Sequence, residues 1–582
     1  MRELLLGNQA IARGAWEAGV SFASGYPGTP STEIIETLAA RFKETKPRWS
    51  TNEKVAFEEG MGAAIGGLRV LVTMKHVGLN VAADAFMVFP YSGTNGGFVV
   101  ISADDPGMHS SQNEQDNRYL ARMGKVPVLE PSDAQECRDF MIAGLELSEQ
   151  FSAPVMLRTT TRLAHHKGLV EVGERQEVSP REFIPDPKRF SVPIYRRLLR
   201  PQVEERLNAL QDYAESCSFN RIEHTDSDIG VVTSGIAYQY VKEVLPEAGV
   251  LRLGMTFPLP PKLLREFCSR YKTVYIVEEG EPFIEDFMRG LGITNLVGKE
   301  KFGVIGEYSP GRLRQALELG AVPVPLNGDI ALLPRPPMMC TGCGHRTVFS
   351  VLRQLKVTVA GDIGCYTMGA LPPYEAEHTT FCMGASIGTA VGLEQAGHER
   401  VVAIIGDSTF IHSGIPPLID AVYNQSNLTL VILDNSTTGM TGAQPHAAAG
   451  VNVRGETAPK LDLTKLVQAA GVDNIQVVDT WQRKQVRNAL SRAVGHLGPA
   501  VVIVQGPCQQ LPEMKQRDVV PFYVDEELCT KCDACFKVWC PAIIRTEQGF
   551  PYIVSNECTS CTVCAQVCPP DAIYLKEPAI VV

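Results

Sequence analysis

Residues 401–440 read VVAIIGDSTFIHSGIPPLIDAVYNQSNLTLVILDNSTTGM. VVAIIG and LTLVIL are continuous apolar runs of strand length, the pattern of strands buried on both faces of a parallel sheet. Between them, IPPLIDAVYNQS opens with prolines, which the first turn of a helix tolerates. Strand, helix and strand together have the length of a βαβ unit. Asp407 and Asn435 then stand at the carboxyl ends of neighbouring parallel strands, where open α/β sheets bind ligands. Their hard oxygen donors suit Mg2+, whose octahedral shell is commonly completed by the phosphates of a bound molecule. A strand-end aspartate and a turn asparagine are also ordinary features of such sheets, so the pair alone leaves the site open.

Working outward, strands near VTVAGD and AVVIVQG extend this unit into an α/β domain over 335–510, set off by the stiff PRPP at 334–337. Residues 1–170 alternate short apolar runs (VLVTM, FVVIS, PVMLR) with Ala/Gly-rich helical stretches, which predicts another open parallel sheet covered by helices. Between 171 and 225 the chain turns polar and proline-punctuated, a connector with one helix around RRLLRPQVEERLNALQDYAES. DIGVVTSG, VLRLG and TVYIVEEG mark a further α/β unit at 226–325 with no evident catalytic cluster. The fold class is therefore multidomain α/β, parallel sheets covered by helices, ahead of a cysteine-rich tail at 520–582. At 582 residues, 45% apolar and 20% charged, the chain is globular and builds several cores. A net charge of −11 has the wrong sign for a nucleic-acid binder. No apolar stretch reaches the roughly 18 residues that span a bilayer, and MRELLLGNQAIARG lacks the basic and apolar regions of an export signal, so a cytoplasmic location is expected.

Sixteen cysteines in such a chain favour metal ligation over disulfides. The first 339 residues hold only Cys137, Cys217 and Cys268, whereas the last 54 hold eight in two runs. One run is Cys529, Cys532, Cys535 and Cys540 before Pro541; the other is Cys558, Cys561, Cys564 and Cys568 before Pro569. CxxCxxC folds a tight loop around one face of an iron–sulfur cube, and in two-cluster ferredoxins the fourth cysteine crosses to the other cluster. That predicts Cys529, Cys532, Cys535 and Cys568 on one [4Fe-4S] cluster and Cys558, Cys561, Cys564 and Cys540 on the other. Four thiolates also suit zinc, but zinc spacing usually has two CxxC pairs without the later CP dipeptide. The first run has four residues before its last cysteine where the ferredoxin pattern has three, a longer loop with no ligand lost.

The 401–440 segment resembles the GDG…NN signature of thiamine diphosphate enzymes, with GDS for GDG and DN for NN. The resemblance places Gly406, Asp407, Ser408, Asn435, Thr437, Gly439 and Met440 on the cofactor, with Asp407, Asn435 and the Thr437 carbonyl as the Mg2+ ligands. STNEKVAFEEGMGAAIGG at 50–67 looks like the family's pyrimidine-binding segment. Glu53 stands where a glutamate hydrogen-bonds the ring and promotes deprotonation of the thiazolium carbon; a surface carboxylate is the plain alternative, since Glu58 and Glu59 share the stretch.

A thiamine core joined to a two-cluster tail points to oxidative decarboxylation with one-electron steps. SGYPGTPSTEI (24–34), TMKHVGLNVAADAF (73–86), CTGCGH (340–345), GDIGCYTMGALPP (361–373), GDSTFIHSGIPPL (406–418) and the tail carry a wider resemblance. The whole chain is similar to the 2-oxoacid:ferredoxin oxidoreductases, and within them to the large subunits that act on indolepyruvate. This implies that 1–170 binds the thiamine pyrimidine, 226–325 is transketolase C-terminal-like, 335–510 binds thiamine diphosphate and Mg2+, and 520–582 is ferredoxin-like with two [4Fe-4S] clusters. It implies that Thr29 faces the 2-oxoacid and His76 lines the same pocket; a proline-flanked turn and a structural histidine are the plain readings. Cys340, Cys343, Cys365 and Cys508 match cysteines that hold a third [4Fe-4S] cluster beside the thiamine. Cys137, Cys217, Cys268 and Cys382 read as small hydrophobes.

The implied activity is oxidative decarboxylation of an arylpyruvate such as indolepyruvate, with coenzyme A forming the thioester and ferredoxin accepting two electrons. The implied partners are ferredoxin and a smaller beta subunit, two large and two small chains together, with no nucleic acid and no membrane span. Two alternatives stand beside it: another 2-oxoacid, such as phenylglyoxylate or a branched-chain acid, and a pure electron-transfer subunit with a degenerate thiamine site.

Overall fold

The structure is a computed structural model that describes residues 1–190, 193–320 and 337–575. Pro334, Arg335 and Pro336 of the PRPP boundary, residues 321–325 of the unit read at 226–325, and residues 576–582 of the tail lie outside the described residues. The chain divides into two units, Met1–Ala331 and Leu332–Val582.

In the first unit, Val70–Lys75, Phe98–Asp104 and Val155–Thr160 are buried along their whole length and pair in parallel. Burial on both faces is why they read as unbroken apolar runs. They form the middle of a seven-stranded sheet continued by Phe22–Gly25 and Lys46–Trp49 on one side and by Val128–Leu129 and Met255–Phe257 on the other. The helix Glu53–Ile65 lies on this sheet, and its Phe57 makes edge contacts with Phe86, Phe89 and Phe98. Met255–Phe257 comes from the stretch read as a separate α/β unit, yet it pairs antiparallel with Val128–Leu129. A second sheet of five strands runs Leu296–Val297, Thr273–Val277, Ile229–Ser234, Gly249–Leu253, Arg221–Glu223. Its antiparallel edge, Arg221–Glu223, comes from the stretch read as connector.

A buried ionic network ties the two sheets. Arg118 is fully buried, donating to Asp116 Oδ1 at 2.9 Å and Glu278 Oε2 at 2.7 Å. Arg158 donates to Asp104 Oδ2 at 2.6 Å and Glu130 Oε2 at 3.1 Å. Charges this deep persist only when paired and hydrogen-bonded.

The second unit holds a five-stranded parallel sheet in the order Thr358–Ala360, Val401–Gly406, Thr429–Asp434, Ala500–Gln505, Asn474–Asp479. Apolar clusters cover both faces, one around Phe349 and Leu352, the other around Phe410 and Leu418. After Gly406 the chain enters helical turns from Asp407, widened to a π-turn at Phe410–Gly414 before the helix Ile415–Tyr423. Pro416 and Pro417 have no N–H to donate to the preceding turn, which accounts for the local widening. The tail folds as two short antiparallel pairs, Phe522–Val524 with Ile573–Leu575 and Ile543–Arg545 with Pro551–Ile553. Its small core of Phe522, Val538, Ile543, Ile553, Val563 and Ile573 packs directly against the cysteines. Among the described residues, no helix is long and apolar enough to cross a membrane.

Candidate functional site

In the first unit Glu53 is the first residue of its helix and is 6% exposed. Asn52 caps that helix, its side chain accepting from the Val55 amide at 2.9 Å, which fixes where Glu53 begins. The Glu53 carboxyl lies against Gly78, where a Cβ would come within 2.7 Å of Cγ and Oε1. Gly78 belongs to the short helix His76–Val81, so the EKVAFEE and KHVGLN motifs meet at this carboxyl. His76 is fully buried; its Nε2 lies 3.3 Å from the Asn113 carbonyl and its Nδ1 has no partner.

Thr29 sits in a half-buried turn at a cis bond to Pro30, with Ser110 Oγ donating to its carbonyl at 3.3 Å. It lines a cavity of about 660 Å3 shared with His109, Arg162, His165, His166 and Lys167. His76 is not among the described residues that wall it. Below the turn, Lys75 donates to the Ser110 carbonyl at 2.5 Å, and burial brings its ammonium down to about 8, with Asp105 opposing.

In the second unit Asp407 is 2% exposed. Its Oδ1 accepts from the Ser408 amide at 2.8 Å, and its Oδ2 accepts from the amides of Asn435 at 3.1 Å and Ser436 at 2.7 Å. Parallel pairing of Gly406 opposite Leu433 makes this contact possible. Asn435 Oδ1 accepts from the Thr437 amide at 3.1 Å, and the Ser408 and Thr438 hydroxyls are 2.9 Å apart. Asp407, Asn435 and Thr437 therefore form one oxygen-rich loop cluster at the strand ends, a donor set whose hardness fits Mg2+. Met440, assigned to the cofactor, is 55% exposed beside it.

Thiols adjoin this loop. The Cβ position of Gly439 lies 3.5 Å from Asn435 Nδ2, 3.7 Å from Cys508 Sγ and 3.8 Å from Cys365 Sγ. The Cys508 amide donates to the Asn435 carbonyl at 3.1 Å. Burial raises the Cys343 thiol to about 12, with Cys340 and Cys365 adding to the shift. Burial raises Cys365 to about 11, with Cys508 and Cys340 adding. Cys365 and Cys508 thus come to one position beside Asn435 although 143 residues separate them, and among the described residues no group of three or more His, Cys, Asp or Glu stands at metal-ligand spacing.

In the tail, burial raises Cys535 to about 11, and Cys568 and Cys529 add to it; burial also raises Cys568, which feels Cys532 and Cys529. Burial raises Cys561 and Cys564, and both feel Cys540 and Cys558. Cys568 thus has Cys529, Cys532 and Cys535 as electrostatic neighbours, and Cys540 has Cys558, Cys561 and Cys564. Cys137, Cys217 and Cys268 are buried, as small hydrophobes should be. Cys382 is exposed, which corrects its reading as a packed apolar residue: GASIG after it starts a helix, and the thiol stays outside.

Several residues of the site carry no sequence signal of their own. His345 ends the CTGCGH motif and is buried; burial lowers its imidazole to about 4 against the pull of Asp407, so it is neutral at pH 7. Tyr366, next to Cys365, donates to the Ile363 carbonyl at 2.8 Å and fills the space where a side chain at Gly406 would stand. Asp362 accepts from the amides of Gly384 at 2.8 Å and Ser386 at 2.9 Å, a buried brace at a third strand end. The only hint of these was their position inside or beside quoted motifs.

Residues 13–210 match the thiamine-diphosphate-binding domain of pyruvate flavodoxin/ferredoxin oxidoreductases, 362–504 the C-terminal TPP-binding domain of thiamine pyrophosphate enzymes, and 522–569 the 4Fe-4S dicluster domain. Fold and matches define a class: thiamine diphosphate-dependent oxidoreductases with an iron–sulfur tail, whose cofactors include thiamine diphosphate and at least two iron–sulfur clusters. The indolepyruvate oxidoreductase subunit IorA of Archaeoglobus fulgidus is 42% identical over 98% of this chain and 97% of its own length. That of Methanothermobacter thermautotrophicus is 42% identical over 98% and 96%. The chain belongs to the family of indolepyruvate oxidoreductase IorA subunits. A solved 2-oxoglutarate:ferredoxin oxidoreductase from Magnetococcus marinus aligns with a TM-score of 0.45 at 17% identity, over 55% of this chain and 65% of its own.

Proposed function

We propose that this chain is the large subunit of an enzyme that oxidatively decarboxylates an arylpyruvate, indolepyruvate first, to the coenzyme A thioester. In that reaction the 2-oxoacid loses CO2, the coenzyme A thiol loses its proton, and two electrons leave singly for ferredoxin. The observation that carries the reading is the junction at Gly439, where Asn435 of the oxygen-rich loop and the sulfurs of Cys365 and Cys508 come within 4 Å of one position. A decarboxylase that keeps its electrons has no use for thiols there.

Asp407, Asn435 and the Thr437 carbonyl would hold Mg2+ and through it the diphosphate, with Gly406, Ser408, Gly439 and Met440 around them. When bound, thiamine diphosphate supplies the electron sink for decarboxylation. Glu53, buried and pinned by the Asn52 cap, would hydrogen-bond the pyrimidine ring and hold the proton balance there. Thr29 would face the 2-oxoacid, and buried His76, with its unpartnered Nδ1, would offer a polar group near that face. Neutral His345 would keep a second positive charge away from Asp407. The sets Cys529, Cys532, Cys535, Cys568 and Cys558, Cys561, Cys564, Cys540 would each hold a [4Fe-4S] cluster. Cys340, Cys343, Cys365 and Cys508 would hold a third, which supplies a one-electron acceptor. The chain would work in the cytoplasm with a smaller beta subunit, two of each in the assembly.

The test is a 2-oxoacid panel on the chain reconstituted with its smaller subunit, following thioester formation and ferredoxin reduction. Indolepyruvate should give the highest kcat/KM, ahead of phenylglyoxylate and branched-chain 2-oxoacids. Turnover with none of these, despite full cofactor content, would leave an electron-transfer subunit on a thiamine fold.

A further inference from the structure

Arg346 opens the helix His345–Leu355 and is 7% exposed. Its Nε donates to the Cys340 carbonyl at 2.7 Å, and its Nη1 donates to the Tyr374 hydroxyl at 2.6 Å and the Trp539 carbonyl at 2.5 Å. Its Nη2 is buried with no partner. Among the described residues no carboxylate lies within ion-pair reach of this guanidinium. A buried cation without a counter-ion is unfavourable, so the environment must supply negative charge from another source.

The one ionisable side chain it bonds is the neutral Tyr374 hydroxyl. The other hydrogen bonds of Arg346 reach two cysteine loops, at the Cys340 carbonyl and at the carbonyl of Trp539, which precedes Cys540. They belong to different thiol sets, one beside the Asp407 loop and one in the tail. The two sets are close-packed here: the Gly342 amide hydrogen-bonds Cys540, Trp481 Nε1 donates to the Gly342 carbonyl at 3.0 Å, and Tyr374 meets the Trp539 ring edge-on at 5.0 Å. An iron–sulfur cube with four thiolates carries net negative charge, which grows by one when it is reduced.

We infer that Arg346 is the shared counter-ion of two neighbouring clusters, one on Cys340, Cys343, Cys365 and Cys508 and the other on Cys558, Cys561, Cys564 and Cys540. It stabilises the reduced form of each and so sets the potentials between which single electrons pass. The inference rests on the cluster assignments proposed above. In each transfer one cluster is oxidised by one electron and its neighbour reduced by one, with no bond made or broken. The guanidinium also joins the Cys340 carbonyl to the carbonyl preceding Cys540, a hydrogen-bonded bridge from one ligand loop to the other. Arg346 is a positioning residue, acting through the clusters.

The test is an EPR-monitored redox titration of the full-length, cluster-loaded protein. At the potential that half-reduces each of these two clusters in the unaltered protein, R346Q should lower the reduced-to-oxidised ratio roughly tenfold, about 59 mV for a one-electron couple. The cluster on Cys529, Cys532, Cys535 and Cys568 should titrate as before. Unmoved ratios, or an equal shift in all three clusters, would overturn the inference. If R346Q loses its clusters, R346M carries the test, since it removes the charge without leaving another buried polar group: both ratios should again fall roughly tenfold, and unmoved ratios would overturn the inference. Iron analysis separates the failures. About twelve irons with unmoved potentials removes the Arg346 assignment alone, whereas about eight removes the third cluster and the inference with it.

Discussion

Gly78→Ala is the perturbation that isolates Glu53. An added Cβ at Gly78 would come 2.7 Å from Glu53 Cγ and Oε1 and 2.9 Å from Cδ. Ordinary van der Waals contact begins near 3.4 Å, so the carboxyl must retreat by about 0.7 Å. The retreat is possible because the obstructing atoms end a side chain, and alanine favours a helix over glycine by about 1 kcal/mol, so the fold should survive. A misplacement of about 1 Å costs a catalytic group up to about 100-fold. G78A should therefore lose roughly 10- to 100-fold in kcat for thioester formation by the two-subunit enzyme, with KM for the 2-oxoacid unchanged and Tm equal or higher. E53Q should lose about 100- to 10,000-fold, the range for a positioned acid–base group. In an E53Q background G78A should cost nothing further, since both act on one carboxyl. Full activity in folded G78A, or an equal loss in the E53Q background, would refute the assignment of Glu53.

Other consequences are independent of that site. R118M removes the nearest cation from the buried carboxylates of Asp116 and Glu278, which should cost about 3–5 kcal/mol, read as a lower unfolding midpoint by circular dichroism. A cost below about 1 kcal/mol would mean that the network does not hold the two sheets. Burial raises Glu377 from 4.5 to about 8, so between those pH values the unfolded chain has released a proton that the native chain keeps. Stability should fall as pH rises through that window, by on the order of 4 kcal/mol, and E377Q should remove the fall in urea midpoints at pH 5 and 8. Parallel midpoints in both proteins would show that Glu377 ionises normally. C568S should alter the EPR signal of the cluster on Cys529, Cys532 and Cys535 and spare that on Cys558, Cys561 and Cys564; the reverse would restore an uncrossed pairing.

The parts of the fold legible from sequence are those encoded by local periodicity. VVAIIG and LTLVIL read as buried strands because each is covered on both faces, and they pair in parallel with Asp407 and Asn435 at their ends. The tail was legible because duplicated cysteine spacing fixes loop geometry residue by residue. What sequence did not show was set by long-range packing. Met255–Phe257 and Arg221–Glu223 are three residues each, too short to display a period, and they are strands only because an open sheet edge receives them. Arg346 has no sequence signal of its own; the role proposed for it depends on Trp539, which is 193 residues away in the chain. Cys382 differs from the other non-motif cysteines in exposure alone, a property that one short polar neighbourhood does not encode.

In the proposed enzyme this chain joins a working thiamine site to three clusters. Anaerobic iron, sulfide and thiamine analysis of the purified protein, followed by EPR after addition of indolepyruvate with coenzyme A and the smaller subunit, tests it most directly. The protein should hold about twelve irons and one thiamine per chain, with clusters reduced by substrate. About eight irons, no thiamine and no substrate-dependent signal would contradict it.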